Sequence, residues 1–67
     1  MIRLEYFDSN ERGQNVFDVR AGETYLGQMV DRGRQGYRVF NYYWYKDFKT
    51  LHEAMQFWKE QASRNAR

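Results

Sequence analysis

Residues 37–53, YRVFNYYWYKDFKTLHE, contain the two signals that decide the fold of this chain. Seven of the first twelve positions are aromatic, a composition that favours a β-strand. Thr50 and Glu53 then form a Thr-x-x-Glu capping box, which marks the start of a helix. The stretch therefore predicts an aromatic strand, from residue 36 to about residue 45, that leads into a helix.

The residues after Thr50 have the periodicity of an amphipathic helix. Apolar side chains recur at the spacing that places them along one stripe, with Phe57 on its flank. The members of the stripe are Leu51, Ala54, Met55, Trp58 and Ala62. Arg64 and Arg67 complement the negative end of the helix dipole. A helix with one apolar stripe must pack on an apolar face of another element.

The first half of the chain has the pattern of short strands separated by turns. Ile2, Leu4 and Tyr6 alternate with other side chains, as in a strand with two different faces. Further strands are predicted at residues 16–20, at about 23–31 and at 36–45. We therefore expect residues 1–67 to form a single small α+β domain. It has an antiparallel β-sheet of three to four strands in meander order, with one C-terminal α-helix packed on one face. Whether residues 1–8 join the sheet stays open.

Two predicted turns set the register of the sheet. Ala21-Gly22 is typical of a two-residue hairpin loop, and residues 32–35 are typical of a second hairpin tip. The expected cross-strand pairs are Arg20 with Glu23, Phe17 with Leu26, Asp31 with Gly36, Gln28 with Val39 and Gly27 with Phe40. The face covered by the helix would then carry Phe17, Val19, Leu26, Val30, Tyr37 and Val39, with Ile2 and Leu4. The opposite face would carry Tyr25, Met29, Arg38, Phe40, Tyr42 and Trp44.

The opposite face is the candidate functional surface, because one helix can cover only one side of the sheet. A contiguous patch of exposed aromatic side chains usually marks a contact site, and Tyr, Trp, Met and Arg are enriched in interfaces. With the basic residues of the second hairpin and the last strand, the candidate binding residues are Tyr25, Arg32, Arg34, Arg38, Phe40, Tyr42, Trp44 and Lys46.

Three interpretations of this surface are considered, of which the first is the one that we predict from the sequence and the second is its alternative. In the first, arginines meet phosphates and rings stack on bases, so the chain is a recognition domain for nucleic acid or a nucleoprotein complex. In the second, it binds a host protein, as phage or mobile-element inhibitors of the anti-CRISPR or anti-restriction kind do, and it can form a homodimer. In the third, the fourth strand twists, bulges near Asn41 and places most of the rings under the helix or the N-terminal strand.

The composition offers little material for catalysis. The chain has no cysteine and one histidine, so neither a thiolate zinc site nor a thiol nucleophile is available. His52 falls in the first turn of the predicted helix, beside the apolar stripe, and neither a nucleophile motif nor a Walker or dinucleotide-binding fingerprint occurs. The G-x-x-G of residues 33–36 is explained as a hairpin tip, whose two arginines can still contact phosphate. We therefore expect a protein that is not an enzyme and that uses neither a cofactor nor a metal.

The charge distribution says more than the net charge of +2. Residues 21–49 carry five basic and three acidic side chains, whereas residues 1–20 carry three basic and four acidic ones. With nine acidic groups in the chain, attraction to phosphates is partly cancelled. No stretch reaches the roughly 18 apolar residues of a membrane span, and charges interrupt the start of the chain. We expect a cytoplasmic protein without a membrane partner.

Overall fold

The computed structural model describes residues 1–65, and the predicted role of Arg67 lies outside them. Five strands form one antiparallel sheet in chain order, β1-β2-β3-β4-β5, and one helix packs on it. The elements are β1 (Ile2–Ser9), β2 (Asn15–Ala21), β3 (Thr24–Asp31), a 3-10 turn (Gly33–Gln35), β4 (Tyr37–Phe40), β5 (Tyr45–Phe48) and α1 (Leu51–Asn65). The predicted α+β meander with a C-terminal helix is confirmed.

The core lies between the middle strands and the helix. The fully buried side chains are Val19, Met29 and Val39 from the sheet and Ala54 and Trp58 from α1. The Trp58 ring lies against β3 at Gly27, where an added Cβ would be 2.9 Å from ring atom Cη2. Gly27 therefore makes room for the indole. The aromatic ring over this glycine belongs to the helix, not to Phe40 as expected.

The helix begins where the capping box predicts. The Glu53 backbone N–H donates to Thr50 Oγ1 at 3.2 Å, which satisfies one of the free donors of the first turn. The Thr50 hydroxyl in turn donates to Glu53 Oε1 at 3.1 Å. The carboxylate thus binds the Thr50 hydroxyl, whereas in a full capping box it would accept from the Thr50 backbone N–H.

The sheet has five strands, not three to four, because the predicted last strand is interrupted at Asn41. The Asn41 side-chain oxygen accepts hydrogen bonds from the backbone N–H groups of Tyr43 and Trp44, at 2.8 and 3.3 Å. Such a side-chain turn replaces the strand pattern locally. The chain reverses there, and Tyr45 pairs with Phe40 in a fourth hairpin. The start of the chain also joins the sheet, since β1 (Ile2–Ser9) lies beside β2.

The register between β2 and β3 differs from the expected one for two reasons. The loop is Gly22–Glu23, with Ala21 paired to Thr24, because Gly22 has a φ of 60° and occupies the first loop position. The pairing then shifts between Val19 and Arg20, which leaves Leu26 as an extra residue on β3. As a result Phe17 pairs with Met29 and not with Leu26.

The register between β3 and β4 is displaced by one residue. Asp31 pairs with Tyr37 and not with Gly36, because the tip contains a 3-10 turn and Gly36 closes it with a φ of 87°. Successive side chains of a strand point to opposite faces, so a one-residue slip exchanges them. Met29 therefore lies in the core, and Val30 lies on the opposite face between Val16 and Arg38.

Candidate functional site

The side of the sheet away from α1 is called the open face. The registers place on it Arg3 and Glu5 of β1, Val16, Asp18 and Arg20 of β2, Tyr25, Gln28 and Val30 of β3, Arg38 and Phe40 of β4, and Tyr45 and Asp47 of β5. One helix leaves this side uncovered, as the sequence predicts. It is a mixed surface in which aromatic rings lie among charged side chains.

An aromatic cleft occupies one half of the open face. Its lining consists of Phe7, Tyr25, Gln28, Phe40, Asn41 and Tyr42. The Tyr42 side chain is 99% exposed and Phe7 is 60% exposed. Two irregularities bring these rings together, because a shift in pairing frees Phe7 on β1 and the Asn41 turn presents Tyr42. Exposed rings around a concave surface can accept an apolar side chain of a partner.

Arg38, Asp47 and Tyr45 form a compact group beside this cleft. The Arg38 guanidinium donates to both Asp47 oxygens, at 2.7 and 3.0 Å. Its carbon also lies 4.3 Å from the centre of the Tyr45 ring. Arg32 approaches Asp47 from the hairpin tip, at 3.6 Å. The hydrogen bond from Arg38 lowers the pKa of Asp47, and the same bond raises the pKa of Arg38.

We expect the Arg38–Asp47 pair to give the domain a pH-dependent stability. The folded-state pKa of Asp47 lies below its unfolded value, so the contribution is complete above the unfolded pKa. It is lost as the pH falls through the folded pKa. The free energy of unfolding of the wild type should therefore exceed that of Asp47→Asn near neutral pH, and the difference should vanish in acid. A pH-independent difference in denaturant titrations would contradict this role. In Arg38→Gln the pKa of Asp47 should rise toward its ordinary value, although Arg32 still lies 3.6 Å from the carboxylate.

A second group of charged side chains, Arg3, Glu5 and Arg20, lies on the other half of the open face. Glu5 accepts from Arg3 at 3.1 Å and from Arg20 at 3.0 Å. The Arg20 guanidinium also lies 5.4 Å from the centre of the Tyr25 ring. Partial burial, followed by the nearby Asp18 carboxylate, raises the pKa of Tyr25. Guanidinium groups on this face are thus already matched by carboxylates and by aromatic rings.

Six of the eight predicted binding residues lie on the open face or at its margin. Tyr25, Arg38, Phe40 and Tyr42 lie on the open face or line its cleft. Arg32 and Arg34 lie at the hairpin tip, where Arg32 is half-buried and also donates to Gln35 Oε1 at 2.9 Å. Arg34 is exposed.

Trp44 and Lys46 lie on the helix side, so their expected place on the open face is wrong. The Trp44 ring centre is 5.3 Å from that of Phe57 and 6.2 Å from that of Trp58. Lys46 pairs with Val39, and its ammonium lies 5.6 Å from the centre of the Phe48 ring. The Asn41 turn changes which side the residues after it occupy. The third interpretation, in which the rings join the core, therefore holds for one predicted binding residue, Trp44.

Phe7 of the aromatic cleft, and Tyr45 and Asp47 of the Arg38 group, are not among the binding residues that the sequence predicts. Phe7 needs the shift in pairing after Tyr6, and no local signal marks that shift. Tyr45 and Asp47 were assigned to one continuous strand or to none. The clue to both was Asn41, because an Asn between two strand segments is a turn signal.

Comparison with known protein families, curated proteins and solved structures finds no match for this chain.

Among residues 1–65, no cluster of three His, Asp or Glu side chains is arranged to hold a metal ion. No helix in the described part of the chain is long and apolar enough to cross a membrane. His52 is exposed in the first turn of α1. The open face remains the surface with features of a functional site.

Proposed function

We propose that this chain is a small non-enzymatic recognition domain that binds a protein partner through its open face. The observation that carries the proposal is the aromatic cleft beside guanidinium groups that already have carboxylate partners. Interface centres are enriched in Tyr, Phe and Arg and depleted in Lys, Glu and Asp, which belong to the polar rim. The cleft would receive an apolar side chain of the partner. The two charged groups, around Arg38 and around Glu5, would form the surrounding polar rim.

The charge balance favours a protein over nucleic acid as the partner. A phosphate that approached Arg38 would meet the Asp47 carboxylate, which already accepts two hydrogen bonds from that guanidinium. A phosphate that approached Arg20 would meet Glu5 in the same way. Nucleic-acid interfaces depend on basic groups that neutralise phosphates and release counterions. The carboxylates of the open face oppose that contribution.

Binding of nucleic acid is the second candidate function, and one observation favours it. A polar cleft at the edge of the open face is lined by Asn10, Glu11, Arg12, Gln14, Val30, Arg32 and Arg38. Three arginines and one glutamate line it, and the exposed Arg34 lies in the adjacent turn. Phosphates could contact this edge while bases stack on the exposed rings of the aromatic cleft.

A recognition domain of this size would act by covering a working surface of its partner. Small inhibitors from phages and mobile elements, of the anti-restriction or anti-CRISPR kind, act in this way. We place the chain in that functional class, with a host protein in the cytoplasm as its target.

The test is capture of partners from a host lysate by the immobilised domain, with and without nuclease. We expect that the domain still captures a protein after nuclease treatment. Tyr42→Ala should lower the affinity for that protein by about tenfold or more, as for an aromatic hot spot. Tyr43→Ala is the matched control, because Tyr43 is 92% exposed and does not line the cleft. Capture that nuclease abolishes, or equal loss in both variants, would contradict the proposal.

A further inference from the structure

The first strand forms one edge of the sheet and pairs on one side with β2. Its pairing is regular from Ile2 to Tyr6 and shifts before Asp8. The outer backbone groups of an edge strand can pair with another strand, and irregular pairing protects an edge from that. The shift protects the second half of β1 and leaves the regular segment, centred on Leu4, available.

The charges of this segment are poorly matched to β2. Arg3 lies directly opposite Arg20, and Glu5 lies directly opposite Asp18. Like charges that face each other across a strand pair are destabilising. Glu5 relieves part of this arrangement, because its carboxylate accepts from Arg20 at 3.0 Å and from Arg3 of its own strand at 3.1 Å. Two guanidinium groups thus share one carboxylate, so Arg3 has donors left for a second carboxylate beyond the outer edge of β1.

We propose that β1 pairs antiparallel with β1 of a second copy of this chain, with Leu4 opposite Leu4. Arg3 of each copy then faces Glu5 of the other, which gives two identical cross-strand ion pairs on the open face. The register is self-complementary, as the two-fold symmetry of a homodimer requires. Its midpoint coincides with the midpoint of the regular segment Ile2–Tyr6.

The helix side of β1 supports the same register. Ile2 of one copy would face Tyr6 of the other, and the Tyr6 ring is 60% exposed in the single chain. Beside Ile2 lies an apolar groove, whose lining includes Met1, Ala21, Met55 and Ala62. A tyrosine ring placed at this groove buries a large apolar area and can keep its hydroxyl in water. The pairing would cover both rings and both grooves symmetrically.

The dimer would join two five-stranded sheets into one sheet with two helices on the same side. A chain of this length buries a small core, and dimerisation enlarges the buried apolar surface. Arg3, Glu5 and Leu4 do not line the aromatic cleft. Arg3 and Glu5 do belong to the proposed polar rim, but self-association is measured on the purified chain without a partner, so a failure of dimerisation leaves the proposed partner binding unchanged.

Charge-swapped variants test the pairing by sedimentation velocity over a concentration series. The wild type should convert from monomer to dimer, and Arg3→Glu or Glu5→Arg alone should weaken association by about tenfold, because each turns two attractive pairs into repulsive ones. An equimolar mixture of the two variants should restore dimers, since each position then faces the opposite charge. Arg34→Glu, at the distant hairpin tip, should behave as the wild type.

A single introduced cysteine tests the register itself. The chain contains no cysteine, so Leu4→Cys would carry one thiol, opposite its own copy at a spacing that a disulfide can bridge. Under mild oxidation we expect a covalent dimer to form faster than in the control Arg34→Cys. A wild type that stays monomeric throughout, a mixture no stronger than either charge variant, or equal rates for the two cysteine variants would overturn the proposal.

Discussion

Trp58→Ala is expected to leave the domain largely unfolded at room temperature. The Trp58 side chain is 0% exposed and fills the space over Gly27 between α1 and β3. Truncation of a buried tryptophan costs about 3–5 kcal/mol. A chain of 67 residues has a total stability of about 3–10 kcal/mol on the usual per-residue scale. Circular dichroism in a urea titration should show the loss.

The matched variant for this prediction is Trp58→Phe. Among residues 1–65, nothing accepts a hydrogen bond from the buried Trp58 Nε1. A buried donor without a partner carries a desolvation cost, which phenylalanine removes while it keeps an aromatic ring in the core. We expect Trp58→Phe to destabilise the fold clearly less than Trp58→Ala. Equal losses, or a Trp58→Ala cost below about 1 kcal/mol as for a surface site, would contradict the described core.

Gly36→Ala is expected to be nearly as damaging, although it adds only one methyl group. Gly36 has a φ of 87° and a ψ of −142°, a region that glycine alone populates readily. An added Cβ would also collide with the backbone oxygen of Phe48, where the end of β5 passes the hairpin tip. Gly36 directly precedes β4, and Phe48 pairs with Tyr37 at the end of β5, so a shift of either segment would disturb the pairing of β4 with β5. We expect a loss of about 3 kcal/mol or more in the free energy of unfolding.

Gly33→Ala separates the two causes of that loss. Gly33 also has a positive φ, of 64°, but an added Cβ would meet nothing within 4 Å. Only backbone strain applies there, at about 1–2 kcal/mol. A denaturant titration of both variants should show that Gly36→Ala loses clearly more stability. Similar losses at the two glycines would show that the Phe48 contact has no energetic role.

Local signals in the sequence were sufficient to predict the fold class. The Thr50–Glu53 capping box and the apolar stripe depend on contacts within one helical turn, so they can be identified without knowledge of the tertiary structure. The order of strands followed from alternation and from turn residues. These signals also predicted that one side of the sheet would stay uncovered.

The register of the strands could not be predicted, because it depends on irregularities that local patterns do not show. Leu26 belongs to the core cluster and the next residue, Gly27, lies against Trp58, whereas consecutive residues of a regular strand point to opposite faces. The Trp58 ring packs on Gly27 directly after the extra residue Leu26, a contact between distant parts of the chain. The Gly22–Glu23 loop and the extra residue together change the partner of Phe17 from Leu26 to Met29.

The candidate site shows the same division between local and long-range information. Arg38 and Phe40 have the predicted orientation, since Val39 between them points into the core. Trp44 was misplaced because Asn41 reverses the chain before it. The neutralisation of Arg38 by Asp47 depends on pairing across that turn, which the sequence pattern does not reveal.

Hydroxyl-radical footprinting of the captured complex, read by mass spectrometry, tests the recognition role of the open face most directly. We expect binding to protect the side chains of Phe7, Tyr25 and Tyr42, which line the aromatic cleft. Leu51, exposed on the helix, should be labelled equally in the free and bound domain. Protection confined to α1, with unchanged labelling of the cleft rings, would contradict the assignment of the open face as the binding surface.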